Sequence, residues 1–277
     1  MGGEIAQVVA SAGIPVVLKD VEQEFVEVGL TKARDVTEAQ LAALVAKGKF
    51  SVEDSPRRLE EIVGRITGAT GYAAFGDVDF VIEAVPERME IKQAVFSELD
   101  EVTPGHAILA SNTSSLSVTE MSEATTRPDK VCGFHFFYPA SMMRLIEVIE
   151  GEETSDETIQ VAANFAQAIR KTAIRCGEVP GFVVNRILNS AASEIWRVTE
   201  EEGLEVEEVD SIIKESGAVP MGPFFLTDLL GLDTVLHVAE HLRASYGERF
   251  FVSAQMRDLV EAGNLGQKTG KGFYEHG

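Results

Sequence analysis

Residues 2–20 read GGEIAQVVASAGIPVVLKD. Gly2 to Ser11 is small and apolar, the composition of a helix pressed closely onto a sheet. Ala12-Gly13 turns the chain, and Ile14-Pro15-Val16-Val17-Leu18 is a β-branched run that closes at Lys19-Asp20. An unbroken apolar run of this kind marks a strand buried on both faces, as parallel strands are. Outward from it, the pattern is helical from Val21 to about Lys49 and, after the break at Ser51 to Pro56, from Glu53 to Thr67. Phe80 to Val85 is the next strand, with Pro86 suited to the first turn of a helix carrying Glu87 to Leu99. Ala107 to Ala110 follows as a strand and ends in the polar cluster Ser111-Asn112-Thr113-Ser114. Strands alternating with helices predict an α/β fold with a mostly parallel sheet and right-handed crossovers.

The rhythm changes near residue 130. Val131 to Phe137 and Leu145 to Ile149 read as two strands with a short connection, and Asp156 to Lys171 as a helix. Beyond Gly181 the pattern is helical over Phe182 to Val198, Val206 to Lys214, Phe225 to Arg243 and Val252 to Ala262. This places a boundary near Val179-Pro180-Gly181, with one domain over 1–179 and an all-helical one over 180–277. The acidic run from Glu200 to Asp210 is most simply a solvated face.

Composition bounds the function. The 277 residues are 45% apolar, enough for a substantial core, and 45 Asp and Glu against 24 Lys and Arg leave a net charge of −21. That balance weighs against a nucleic-acid partner and requires a local basic pocket for any anionic ligand. No apolar run reaches the ~18 residues of a membrane span, and the basic-then-apolar start of a secretory signal is absent. These features predict a cytoplasmic protein with no membrane partner. Cys132 and Cys176 read as buried thiols, and they lie at no metal-ligand spacing with His106, His237, His241 or His276.

A helix opening on glycine, a strand after it and a carboxylate at the strand's end form the second half of a dinucleotide-binding βαβ unit. Asp20 would hydrogen-bond the adenosine ribose 2′-hydroxyl and repel a 2′-phosphate, which favours NAD over NADP. Many α/β proteins share this local pattern, and the adjacent Lys19 blurs the choice. Gly2 supplies only the last glycine of G-x-G-x-x-G, and the strand before it is missing. Five buried apolar side chains on such a strand amount to roughly 8–15 kcal/mol, the size of a whole domain's stability. The natural chain is therefore expected to start upstream, with Met1 inside the phosphate loop. A second constellation pairs His135 with Glu147, twelve residues apart in two strand-like runs that can lie side by side. A carboxylate on one imidazole nitrogen fixes the tautomer and stabilises the imidazolium, so the other nitrogen can take a proton from an alcohol. A buried His–Glu pair can also be purely structural. Ser111 to Ser114, at the strand end where α/β sheets bind ligands, favours the chemical reading.

Several segments together resemble one family. Ala110 to Leu116 (ASNTSSL), Gly133 to Pro139 (GFHFFYP), Leu145 to Gly151 (LIEVIEG), Pro180 to Arg186 (PGFVVNR), Pro220 to Pro223 (PMGP) with Asp228 to Asp233 (DLLGLD), and Lys268 to Tyr274 (KTGKGFY) are similar, in that order, to the 3-hydroxyacyl-CoA dehydrogenases. That family includes the dehydrogenase portion of multifunctional fatty-acid β-oxidation proteins. The resemblance implies an N-terminal Rossmann-type domain, here without its first strand, and a C-terminal helical domain that forms a homodimer. It implies reversible NAD-dependent oxidation of a (3S)-3-hydroxyacyl-CoA to the 3-ketoacyl-CoA in fatty-acid or butanoate metabolism. Carried over by position, His135 is the general acid/base and Glu147 its orienting partner. Ser114 and Asn185 match substrate contacts, Gly2 and Asp20 the dinucleotide fingerprint, and Glu87, Lys92 and Lys268 cofactor-side positions. Lys47 and Lys49, with Arg57 and Arg58 beyond, match the region where the family places lysines for CoA, although helix-end lysines also complement the dipole. Two departures stand out: Tyr138 replaces the usual Asn or Ser after His-Phe-Phe, and the first two fingerprint glycines are absent. The alternative is a non-catalytic CoA-binding or structural relative. No metal is implied.

Overall fold

In the computed structural model, which describes residues 1–217 and 219–277, Gly2–Ser11 is helix α1 and Val16–Lys19 is strand β1. Helix α2 covers Gln23–Ala46 and α3 covers Ser55–Val63. The helix predicted to run to Thr67 stops at Gly64, and Ile66–Ala69 is strand β2, parallel to β1 with Val16 opposite Ile66. The β-branched Ile66-Thr67 pair suits a pleat better than a helix, and the Val16 amide donates to the Arg65 carbonyl as the two chains meet. Close packing explains the small residues here. A Cβ on Gly3 would lie 2.4 Å from the Gly29 carbonyl oxygen, so α1 and α2 meet backbone to backbone.

Strands β3 (Phe80–Glu83), β4 (Ile108–Ser111), β5 (Val131–Phe136), β6 (Leu145–Glu150) and β7 (Thr172–Gly177) form a second sheet in that order. All its pairings are parallel except β5 with β6. No ladder joins it to the β1–β2 pair among the described residues. Helix α4 (Met89–Val102) follows β3, α5 (Val118–Ser122) follows β4, and α6 (Asp156–Ala168) follows β6. Strand β7 lies just past a predicted helix. Pro86 does not sit in the first turn of α4: Arg88 is its N-cap and donates its amide to the Pro86 carbonyl, which leaves Glu87 in the connection.

Alternation along β5 and β6 sorts their side chains. Phe134, Phe136, Ile146 and Val148 face a core shared with Ile5, Val8 and Val9 of α1 and with Ile159, Ala162 and Ala166 of α6. His135 and Glu147 therefore face the opposite side. On its other flank α1 packs Ala6 and Ala10 with Ile62 and Ile66. The helix thus touches the cores of both sheets.

Contacts divide the chain into the units Met1–Glu178 and Val179–Gly277. The second is built from α7 (Val184–Glu202), α8 (Val206–Glu215), α9 (Pro223–Leu230), α10 (Leu232–Tyr246) and α11 (Ala254–Glu261) around Trp196, Phe224, Leu232 and Met256. The single helix predicted over Phe225 to Arg243 is broken at Gly231, where φ is +95°. Two members of the acidic run are engaged in helix caps, Glu200 half-buried and Asp210 buried. The Glu200 carboxylate accepts from the Ser253 hydroxyl and the Ala254 and Gln255 amides, and buried Asp210 accepts from the Phe224 and Phe225 amides and the Tyr274 hydroxyl. Both cap helices whose own N-terminal donors need partners. Asp228, fully buried, accepts from the Phe273 and Tyr274 amides and holds His276 Nε2 at 2.7 Å.

Candidate active site

His135 and Glu147 stand directly opposite each other in the antiparallel β5–β6 register. His135 Nδ1 and Glu147 Oε2 are 2.8 Å apart, with His135 6% exposed and Glu147 fully buried. With Nδ1–H donating to the Glu147 carboxylate, Nε2 is the nitrogen left to exchange a proton with a ligand. The Phe137 ring lies 4.6 Å from the imidazole, centroid to centroid. Gly133 permits the close pairing: a Cβ there would meet Ile149 at 2.8 Å.

The polar cluster after β4 is tied to this strand pair and to a buried charge network. The Phe136 amide donates to Asn112 Oδ1 at 2.8 Å, which fastens the connection carrying Ser114 to the strand carrying His135. Glu87 Oε1 accepts from the Thr113 hydroxyl at 2.5 Å and the Ser114 amide at 2.9 Å. Its other oxygen lies 3.2 Å from Lys92 Nζ. Burial pushes the Glu87 carboxyl up, but the Lys92 charge and the Thr113 and Ser114 donors outweigh it and hold the carboxyl below its ordinary value. Lys92 is 1% exposed and clasped by both Glu83 oxygens at 2.9 and 3.0 Å. Glu83 also accepts from the Ser111 hydroxyl and the Val85 amide, each at 2.6 Å. Lys92 therefore acts inside the protein, setting Glu87 and the β4 end. Asn112 is legible in the sequence only as a member of the polar cluster, and Glu83 went unremarked there, although a carboxylate inside Phe80 to Val85 is a visible anomaly.

Asp20 is exposed at the end of β1, and its Oδ1 accepts from the Val21 amide at 2.7 Å. Lys19 is turned away, with Nζ 4.4 Å from the centroid of the Tyr72 ring. Gly2 opens α1, whose first turn has no side-chain cap. The glycine under steric constraint is its neighbour Gly3. Lys47 and Lys49 are exposed at the C-terminal end of α2. Arg57 and Arg58 pair with Glu61, and Arg57 also with Asp54. In the second unit, Asn185 lies in the first turn of α7 and its carbonyl accepts from the Asn189 amide nitrogen. Lys268 is ion-paired with Asp233. Burial raises the Asp233 carboxyl, and Lys268 with the Thr234 amide brings it below its ordinary value. Among the described residues, no group of three or more His, Cys, Asp or Glu is placed to hold a metal, and no helix is long and apolar enough to cross a membrane.

The chain matches two family models: the 3-hydroxyacyl-CoA dehydrogenase NAD-binding domain over residues 1–179 and the C-terminal domain of the same family over 181–276. It is 41% identical, over its whole length and 96% of the relative's, to a probable 3-hydroxybutyryl-CoA dehydrogenase of Deinococcus radiodurans. It is 38% identical to a 3-hydroxyadipyl-CoA dehydrogenase of Escherichia coli, with 99% of this chain spanning 57% of that protein. The crystal structure of the (S)-3-hydroxybutyryl-CoA dehydrogenase of Ralstonia eutropha superposes with a TM-score of 0.90 at 35% identity, covering all of this chain and 95% of that one.

Proposed function

The chain belongs to the 3-hydroxyacyl-CoA dehydrogenase family, and from that premise we propose that its chemistry is centred on the His135–Glu147 pair. It is an NAD-dependent enzyme that interconverts 3-hydroxyacyl-CoA and 3-ketoacyl-CoA. Full-length kinship with dehydrogenases supports catalysis rather than a purely structural role.

The residues present suit the cofactor. Asp20 is exposed at the strand end with its second oxygen open to a ribose hydroxyl, and the uncapped first turn of α1 behind Gly2 offers amide donors to a pyrophosphate. When bound, NAD would supply the acceptor for the hydride on C3. In oxidation, His135 Nε2 removes the proton of the 3-hydroxyl while Glu147 holds Nδ1 and answers the charge that forms. In reduction, the imidazolium returns the proton to the developing alkoxide. Ser114, in the connection tied to the His135 strand, supplies a donor to that oxygen, and Asn185 is a further substrate contact. Glu87, fixed by Lys92, positions the Ser114 connection, and Lys268 braces the Asp233 turn. Lys47 and Lys49 contribute phosphate contacts to coenzyme A, a role favoured by their exposure and by the pairing of nearby Arg57 and Arg58 with acids.

In this reading residues 1–179 hold the dinucleotide, and 180–277 contribute Asn185 and the self-association surface of a homodimer. Ile212, 60% exposed, supports such a surface. The two free, buried cysteines support the cytoplasm. The relatives favour short (3S)-3-hydroxyacyl chains. The 2.8 Å contact between His135 and buried Glu147 carries the proposal. Its test is the His135→Gln variant, followed by acetoacetyl-CoA-dependent NADH oxidation. Turnover should fall by ~10²–10⁴, the range for a positioned acid/base group, with NADH affinity unchanged. Undiminished turnover would remove His135 from the mechanism.

A further inference from the structure

The second unit carries arginines at 186, 197, 243, 249 and 257. Three are committed to carboxylates: Arg197 to Glu194 and Glu201, Arg243 to Glu248, and Arg257 to Glu240. Among the described residues, Arg186 and Arg249 make no ion pair. Glu248, adjacent to Arg249 in the chain, is turned toward Arg243 at 3.9 Å. The two unpaired arginines line one hollow of about 520 Å³, together with Ser190, Tyr246, Ile187 and Phe250. Acids outnumber bases 45 to 24 in this chain. Two arginines lining one cavity without an ion pair are therefore a local reversal of its charge.

The hollow has a fixed frame. The Tyr246 hydroxyl donates to the Pro180 carbonyl at 3.2 Å. That joins the end of α10 to the segment entering α7, where buried Phe182 adopts a φ of +46°. Arg186 rises from the start of α7, while Arg249 comes from the turn after α10 with its guanidinium 5.8 Å from the Phe250 ring centroid. The two arginines thus come from different elements. A carboxylate offers two oxygens, which one guanidinium satisfies. A tetrahedral phosphate offers three with a charge near −2, and so suits two forks and a hydroxyl together. The volume lies within the range of organic-ligand pockets, and Ile187 and Phe250 give it an apolar side.

We propose that this hollow is a binding site for a phosphate monoester or pyrophosphate group, held by Arg186 and Arg249 with the Ser190 hydroxyl as a further donor. The phosphate has two possible sources, coenzyme A or a free phosphorylated metabolite. Assignment to coenzyme A rests on the function proposed above; the site itself does not.

Calorimetric titration of the whole chain in Tris-chloride, with inorganic pyrophosphate and with adenosine 3′,5′-bisphosphate, tests the site. Saturable binding with a component that depends on Arg249 is expected. It should weaken ~10-fold or more in Arg249→Gln, the loss of one charge-assisted contact, with partial retention in Arg249→Lys. A raised KM for acyl-CoA in Arg249→Gln assigns the phosphate to coenzyme A. An unchanged KM alongside weakened pyrophosphate binding assigns a free ligand, and both results uphold the site. Arg249 is exposed, so its substitution should not unfold the protein. The proposal is overturned by a lack of saturable uptake, or by equal affinity in wild type and Arg249→Gln. It is overturned equally if Arg249→Gln shifts only the sedimentation of a dimer, since the arginines would then serve a second copy of the chain.

Discussion

Lys92 has an ammonium group almost out of reach of water, and an isolated charge there would be strongly destabilising. It is tolerated because Glu83 takes it on both oxygens and Glu87 takes it on a third. Replacing Lys92 with Met should cost about 3–5 kcal/mol in urea unfolding, because buried Glu83 would lose its counter-ion. Glu87 adds a dependence on pH. Its carboxyl is held below the ordinary value, so its contribution to stability is complete above ~4.3 and is lost as pH falls through the lowered native value. Thermal melts of Glu87→Gln should show a flatter acid limb between roughly pH 2 and 5 than wild type. The pairing of His135 with Glu147 was readable from the sequence because two short strand-like runs, joined closely, pair antiparallel. The link between Lys92 and Glu83 was not. It depends on how a helix lies back against the strand before it, and no spacing rule gives that.

At the scale of elements, the strands that escaped sequence reasoning have identifiable causes. Two residues past the end of α6, Arg170 adopts the left-handed region, φ +61°, where a glycine commonly marks the stop. Without that mark the helical pattern reads on to Lys171, and the edge strand β7, mostly exposed, offers little apolar alternation to oppose it. Glycine tolerates this backbone conformation without the Cβ penalty, so Arg170→Gly should raise stability by about 1 kcal/mol, seen as a higher melting temperature. The opposite failure occurs at Gly231, where the apolar pattern runs through a break that the glycine does signal. Where side chains are absent because backbones touch, the sequence shows smallness but not its partner. Gly3→Ala should cost about 1–3 kcal/mol, since neither Gly3 nor the Gly29 carbonyl can yield by changing a rotamer.

At the scale of the whole molecule, a net charge of −21 sets the background for every local contact. Exposed acids repel one another and salt screens them, so raising NaCl from ~0.02 to ~0.3 M should raise the melting temperature. The ordered motifs made the family legible, and with it the α/β and helical halves. The two acids expected at the surface were read by sign alone, because capping partners such as Ser253 and Phe224 lie more than ten residues away. The final residues show how far such distant bonds reach. Asp228 sits midway along the second unit, yet its carboxylate is answered by amides at 273 and 274 and by the ring at 276. A carboxypeptidase that trimmed residues 273–277 would remove no large part of the core beyond Phe273 and Tyr274, but it would strand an anion in a place water cannot reach. The damage would begin at the centre of the bundle and work outward, although the cut was made at its edge.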